Sequence, residues 1–233
     1  AVDISDGSAT MSVDVMIVVT TSTATPTINR PEDVATPIDT QVIEPFSSSI
    51  RFLYEGDDAL QFGLVDGSLE EKQVSVLRGS VLDGAESPAS PLQSVRVEVL
   101  NHPEYGYTLT RDDGQFDIAV NGGGDVILRF SADGYLKAQR RVMSTPWNDF
   151  VLVPEVALVQ LDSAVTEVQF GASTTEFQAA RATEVSDSNG TRTPTLLVPP
   201  GTTASLELAG GAIEQTQLDL RLTEYTVGDD GPM

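Results

Sequence analysis

The chain has 233 residues, of which 40% are hydrophobic, and 35 Asp+Glu against 13 Lys+Arg leave it a net charge of -22 with no cysteine at all. That length and apolar content suit one large domain or two small ones. The charge repels phosphate backbones and anionic bilayers, so nucleic acid and membrane insertion are not expected. The missing thiols exclude disulfides, thiolate nucleophiles and cysteine-based zinc sites.

The chain opens on Ala1 rather than Met, which reads as processing or a fragment. The apolar run "VDVMIVV", Val13 to Val19, is too short and too acidic in its surroundings for a signal peptide or a transmembrane helix, and reads as a buried strand. Residues 22–49 are rich in Thr, Ser and Pro, and Pro26, Pro31, Pro37 and Pro45 oppose a long helix or a central strand. The expectation for 1–48 is an extended segment with at most short edge strands, followed by a connecting segment over 49–69.

From about Val74 the pattern alternates with period two. Val95, Val97 and Val99 share one face of "SVRVEVL" while Arg96 and Glu98 take the other. Phe116, Ile118 and Val120 oppose Gln115 and Asp117, and Val126, Leu128 and Phe130 alternate with Ile127 and Arg129. Half-buried antiparallel strands require this alternation. Further strands are expected at 135–142, 150–153, 156–161 and up to Phe170, then at 195–198, 204–208 and 218–222, with Asn189-Gly190 as a type I′ hairpin tip. No stretch reads as an amphipathic helix of three turns. Repetition of short strands at intervals of roughly 8–12 residues favours an all-β sandwich.

Four kinds of feature between Asp57 and Asp230 resemble sites and read better as structure. The Asp57-Asp58, Asp112-Asp113 and Asp229-Asp230 pairs lack the further oxygen ligands that calcium needs. Asp113-Gly114 is instead a hairpin signal. His102, the lone histidine, has no cysteine or nucleophile motif to work with; ahead of Pro103 it is held extended, its ring expected on a neighbouring loop carbonyl, with Gly106 closing the loop. Asn121, Gly122, Gly123 and Gly124 are followed by a strand and lack a lysine, so they read as a tight reversal with positive φ rather than a phosphate loop. Trp147, just before the strand of Phe150 and Leu152, reads as a core plug or an interdomain anchor, with sugar stacking the alternative. The final "TEYTVGDDGPM" stops in mid-loop, which reads as a cut chain.

Taken together, "VLRGSVLDG", "SVRVEVLNHPEYGYTLTRDDGQFDIAVNGGGDVILRFSADGYLKAQRRV", "PWNDFVLVPEVALVQLD" and "LRLTEYTVGDDGPM" resemble the N-terminal flank of large bacterial Rhs/YD-repeat proteins, relatives of the animal teneurins, over residues 50–233. The resemblance implies a carboxypeptidase-regulatory-like, or transthyretin-like/Ig-like, β-sandwich at 70–162 and the start of a fibronectin-type plug at 163–233. In that family such modules support and help close a hollow YD-repeat shell that carries a toxin or adhesion module, with a β-propeller often nearby. The implied role is non-catalytic, without metal or cofactor, in a secreted or cell-surface protein, with the partners being adjacent domains of the same polypeptide. The rival reading is a module that binds carbohydrate or a host surface through loops such as 101–106. No nucleophile, base and orienting group can be assembled from the sequence, so an enzyme is not expected.

Overall fold

The structure, a computed structural model, describes residues 2–5, 10–13, 28–37, 39, 41–85, 88–187, 190–208 and 210–225. The chain divides into two compact units, one built on 25–160 and the other on 161–224 together with the strands Val2–Ser5 and Thr10–Val13.

The first unit is a two-sheet sandwich. Ten strands build it: β1 (Gln61–Phe62), β2 (Val74–Asp83), β3 (Ser90–Pro91), β4 (Arg96–Val99), β5 (Tyr107–Leu109), β6 (Gln115–Asn121), β7 (Val126–Ser131), β8 (Ala138–Val142), β9 (Phe150–Leu152) and β10 (Val156–Leu158). One sheet runs β8-β7-β4-β5-β1, antiparallel throughout. In the other, β6 pairs antiparallel with β2, while β9 and β10 run parallel to successive halves of β2 and β3 pairs with its end. Parallel neighbours need a long crossover, and here β4, β5, β7 and β8 of the opposite sheet lie between β2 and β9 in sequence.

The alternation expected at β4, β6 and β7 builds the core. Val95, Val97, Val99, Phe116, Ile118, Val120, Leu128 and Phe130 are all buried in one cluster with Leu77 and Val81 of β2. Phe116 and Phe130 meet edge to face at 5.6 Å across the sheets, a favoured aromatic geometry.

The reading of β6 as half-exposed fails on one residue. Asp117 is 2% exposed, although alternation places it on the face opposite Phe116 and Ile118. The reason is a third layer. Residues that looked like linker and connector form one-turn helices at Phe46–Ser49 and Arg51–Leu53. Ile50, Leu53 and Leu60 pack from there against Val74, Val76 and Ala119 on the outer side of β2 and β6. Both faces of β6 are therefore dry from Phe116 to Val120. Gln61 completes the cover: its amide donates to the Tyr105 and Ala119 carbonyls at 2.7 and 3.0 Å, and its carbonyl accepts from the Ala119 N–H at 2.7 Å. The side chain thus takes the part of a neighbouring strand along that edge of β6.

A carboxylate stripped of water must be fully partnered. Asp117 accepts from Arg78 Nε at 2.8 Å and from Arg111 Nη1 at 3.0 Å, and the Arg111 side chain is itself only 6% exposed. Phe150 lies under the other face of Arg78, with the guanidinium carbon 4.5 Å from the ring centroid. A layer contact, an ion triad and a cation–π contact thus converge on β2 and β6.

In the second unit, Thr166–Gln169 pairs with Gln217–Leu220, Gln178–Arg181 with Thr195–Val198, and Val185–Asp187 with Gly190–Arg192. Thr203–Leu208 lies between Gly211–Gln215 and Val2–Ser5. Val168, Phe170, Ala180, Val198 and Ala204 form its core. Asp162 staples the unit: its carboxylate accepts from the Ala164 N–H at 2.7 Å and from the N–H and hydroxyl of Thr183 at 2.9 and 2.8 Å. The expected strand at 13–19 beyond Val13, and the Asn189 turn, lie outside the described residues.

The triad yields a stability prediction. Asp117→Ala leaves buried Arg111 with only the more distant, half-exposed Asp113 at 3.8 Å and lowers the unfolding free energy by about 3 kcal/mol. Asp112→Ala, which breaks the exposed pair with Arg30 at 2.6 Å, leaves the urea midpoint nearly unchanged. Urea titration of the two variants reads the contrast directly.

Candidate functional site

Apart from Asp57-Asp58, just before β1, and Asp229-Asp230, outside the described residues, the residues singled out by sequence fall at three separate places on the sandwich. The first is the β4–β5 connection. Pro103 starts a single 3-10 turn, Pro103–Tyr105, between these paired strands. The His102 ring is exposed, stacks on Tyr105 at 5.6 Å, and its Nδ1 lies 2.8 Å from Glu104 Oε1. The ring partner is a carboxylate instead of the expected loop carbonyl, because the short helical turn brings residue 104 back under residue 102. The bond to His102, with a backbone N–H, holds the Glu104 carboxyl below its ordinary value. Among the described residues no group of three or more His, Asp or Glu is placed to hold a metal ion. Gly106 closes the turn at φ +63, where a Cβ would stand 2.0 Å from the Phe62 carbonyl oxygen.

The second place is the 111–115 turn. The Arg111 N–H donates to the Gln115 carbonyl at 2.9 Å, the Gly114 N–H returns to the Arg111 carbonyl at 2.9 Å, and the Asp113 carboxylate accepts from the Gln115 N–H at 2.9 Å. The reversal is local, and it does not make a hairpin. β5 before it belongs to one sheet and β6 after it to the other. The chain arches between layers so that both strands offer their apolar faces to one core. Gly114, at φ +74, lets the turn press on β2: its carbonyl accepts from the Val81 N–H at 2.9 Å, and a Cβ there would meet the Val81 carbonyl at 2.5 Å.

The third place joins two features that are far apart in sequence. Asn121 to Gly124 likewise carry the chain from β6 to β7, between sheets. Of the three glycines only Gly123 has positive φ. The others were expected to share that role, but Gly122 instead admits a close approach: a Cβ would lie 2.2 Å from the Pro146 carbonyl oxygen. Gly123 donates to the Thr145 carbonyl at 2.7 Å, and Thr145 returns its N–H to the Gly124 carbonyl at 3.1 Å. The Trp147 indole lies over Gly123, where a Cβ would come 2.6 Å from Nε1. Asn121 Nδ2 donates to the Ser68 carbonyl at 2.8 Å.

Trp147 is no core plug: it is 57% exposed. Its backbone is nevertheless fixed. Ser144 and Asn148 on either side occupy the left-handed region at φ 54 and 50, a conformation that costs a non-glycine residue about 1–3 kcal/mol unless the surroundings impose it. Here they do: the Ser144 N–H donates to Asp125 at 3.0 Å, and Asn148 donates from its backbone to Val74 O at 2.7 Å and from its side chain to Lys72 O at 2.8 Å. Three residues on, Phe150 packs edge to face on Phe46 at 5.1 Å, and Leu152 is 77% exposed. The glycine run is thus the platform on which Trp147 stands. Sequence reasoning missed Arg78, Arg111 and Asp117 as a unit, since their spacing carries no motif.

Acidity of several carboxyls follows from these contacts. Burial pushes Glu98 up, but hydrogen bonds from Arg129 at 2.7 Å and from Arg96 at 3.2 Å overcome it and hold Glu98 below its ordinary 4.5. The backbone of Ser144, with Arg141, lowers Asp125, and the backbone of Ala164, against partial burial and with Thr183, lowers Asp162, both from 3.8. Groups that titrate lower when folded stabilise the native state above their ordinary values and lose that contribution as pH falls through the folded ones. The melting temperature is therefore expected to be flat with respect to these groups above about pH 5 and to fall steadily below about pH 4. Glu98→Gln shallows that fall in a calorimetric pH series. A second expectation concerns the turns. Gly106→Ala strains a positive-φ position and clashes with Phe62, costing more than about 2 kcal/mol. Gly124→Ala, with open space around it, stays within about 1 kcal/mol.

Comparison with known proteins agrees with the fold. Residues 69–158 match the Teneurin TTR-like domain family. Teneurin-1 of Gallus gallus is 37% identical over 122 residues, 52% of this chain and 4% of its own length. Human Teneurin-4 is 29% identical over 127 residues, 54% of this chain and 4% of that one, and Teneurin-m of Drosophila melanogaster is 34% identical over 113 residues, 48% and 4%. The chain thus corresponds to a small fraction of these relatives. The three places described above, at 101–106, 111–115 and 121–124 with Trp147, all fall within the matched residues, and over that stretch the protein is a transthyretin-like β-sandwich similar to the Teneurin TTR-like domain.

Proposed function

We propose that this chain is a non-catalytic structural module of a large secreted or cell-surface protein of the Rhs/teneurin kind, where it supports and helps close a YD-repeat shell that carries a toxin or adhesion module. The observation that carries the reading is the match of 69–158 to the Teneurin TTR-like domain. The site geometry agrees with it. The residues with chemical potential are engaged internally: Asp117 holds two arginines, and His102 pairs with Glu104. What the sandwich offers outward, at Trp147, Phe150 and Leu152, is apolar and held on a fixed backbone, as suits an anchor to an adjacent domain. The adjacent domains of the same polypeptide, a β-propeller and the shell, are the partners of this reading. Among the described residues no helix is long and apolar enough to cross a membrane.

The parent gene tests this first: YD-type repeats are expected downstream, and their absence overturns the reading. A photo-crosslinking amino acid at position 147 of the full-length protein is then expected to join the sandwich to the shell. The exposure of Trp147 beside Gly123 also suits a second reading, stacking on a sugar ring, which a glycan array decides: saturable hits lost in Trp147→Ala favour carbohydrate, and an empty array favours the anchor.

A further inference from the structure

We propose, building on the docking role above, that β9 is a strand-addition site, and that its occupant is an extended partner segment with apolar residues flanked by Lys or Arg. β9 lies at the edge of its sheet: β2 is its one strand neighbour among the described residues. The Val76 N–H donates to the Asp149 carbonyl at 3.0 Å, and the Val153 N–H donates to the Arg78 carbonyl at 2.8 Å. Backbone groups alternate along a strand, so those of Asp149, Val151 and Val153 face β2 and those of Phe150 and Leu152 face away. The Phe150 N–H is taken by the Asp149 carboxylate at 2.8 Å. Among the described residues the Phe150 carbonyl and the N–H and carbonyl of Leu152 remain as a template for a further strand.

The surroundings fit such a strand. Natural edges are blunted by lysine, an inward charge or a covering loop, as β8 is by Gln139, Arg140 and Arg141. β9 carries Phe, Val and Leu instead. Beside Phe150, on the outer face of the sheet, opens a cleft of about 700 Å³ lined by Val34, Ile50, Phe52, Leu53 and Arg78. An incoming strand places alternate side chains over Phe150 and the mouth of this cleft. Trp147 stands at the entry to β9 on its fixed loop, where it covers one end of the added segment.

Charge decides the occupant. Exposed Asp149 and Glu155 bracket β9; in the cleft Arg51 pairs with Glu55 at 3.6 Å and Arg78 with Asp117, so Glu44 adds a further carboxylate to Asp149 and Glu155. A second copy of the chain brings the same carboxylates and its own net charge of -22, so self-pairing is repelled at long range, while basic flanks are attracted.

The test uses the whole chain and three fluorescently labelled peptides: Lys-Val-Thr-Val-Thr-Val-Lys, the same with a central proline, and the same with glutamate ends. Anisotropy is expected to show saturable binding of the first. Binding weakens about fivefold to tenfold with proline, which deletes a ladder hydrogen bond, and by at least as much with glutamate ends at low salt. Leu152→Lys, which charges the edge while leaving the core untouched, is expected to abolish binding of the first peptide with its melting temperature unchanged. Equal binding of all three peptides, or none, overturns the proposal, as does a concentration-dependent dimer that Leu152→Lys disperses. Crosslinks from position 147 to the shell without peptide discrimination overturn strand addition while leaving the docking role standing.

Discussion

The fold depends on a sheet that is dry on both faces. β2 and β6 bury one side against β4 and β7, and the other beneath residues 46–62. Once water is removed from the outer face, each polar group there must find a partner within the protein. Asp117 meets this by taking two arginines, and the outer edge of β6 meets it through the Gln61 amide. The one residue on both ledgers of this layer is Arg78, which neutralises Asp117 on one side and covers Phe150 on the other. The buried charge and the candidate docking strand are thereby parts of one structure.

The same constraint explains the positions of the glycines. Among the connections that cross between the sheets, those at 111–115 and at 121–124 each pass close to a strand or loop already in place. Gly114 touches the Val81 carbonyl and Gly122 the Pro146 carbonyl, with no room for a side chain in either case. The second crossing doubles as the seat of Trp147. A rigid seat matters for an exposed aromatic residue, because little side-chain and loop freedom is then left to lose when a partner covers it.

Much of the sandwich was legible in the sequence, for a physical reason. At Val95, Val97 and Val99, or Phe116, Ile118 and Val120, one face meets the core, and period-two alternation records that directly. Alternation is silent on what covers the other face, so Asp117 read as a surface residue. The covering layer was itself obscured: Ile50, Leu53 and Leu60 sit on one-turn helices and irregular chain among prolines and serines, with no period to detect. Turn chemistry was recognised at Asp113-Gly114 and at Gly123, because positive φ is a local demand. Whether a turn joins neighbours or arches between sheets depends on pairing with distant strands, and no local signal carries that. For the candidate site, Trp147, Phe150 and Leu152 were visible as an apolar group after a turn, but the seat on Gly123 and the open edge of β9 emerge only when residues 121–124 and 143–152 are brought together.

The central claim is that a pair of strands, enclosed over Val74–Leu77 of β2 and Phe116–Val120 of β6, supports one open edge at β9. Amide hydrogen exchange on the intact chain, resolved residue by residue, tests it most directly. Amides of Leu77, Ile118 and Val120 should exchange only through global unfolding, while the Leu152 amide exchanges orders of magnitude faster, at rates close to those of exposed loops. Protection of Leu152 equal to that of Leu77 would mean that the edge is already covered, and would contradict the account.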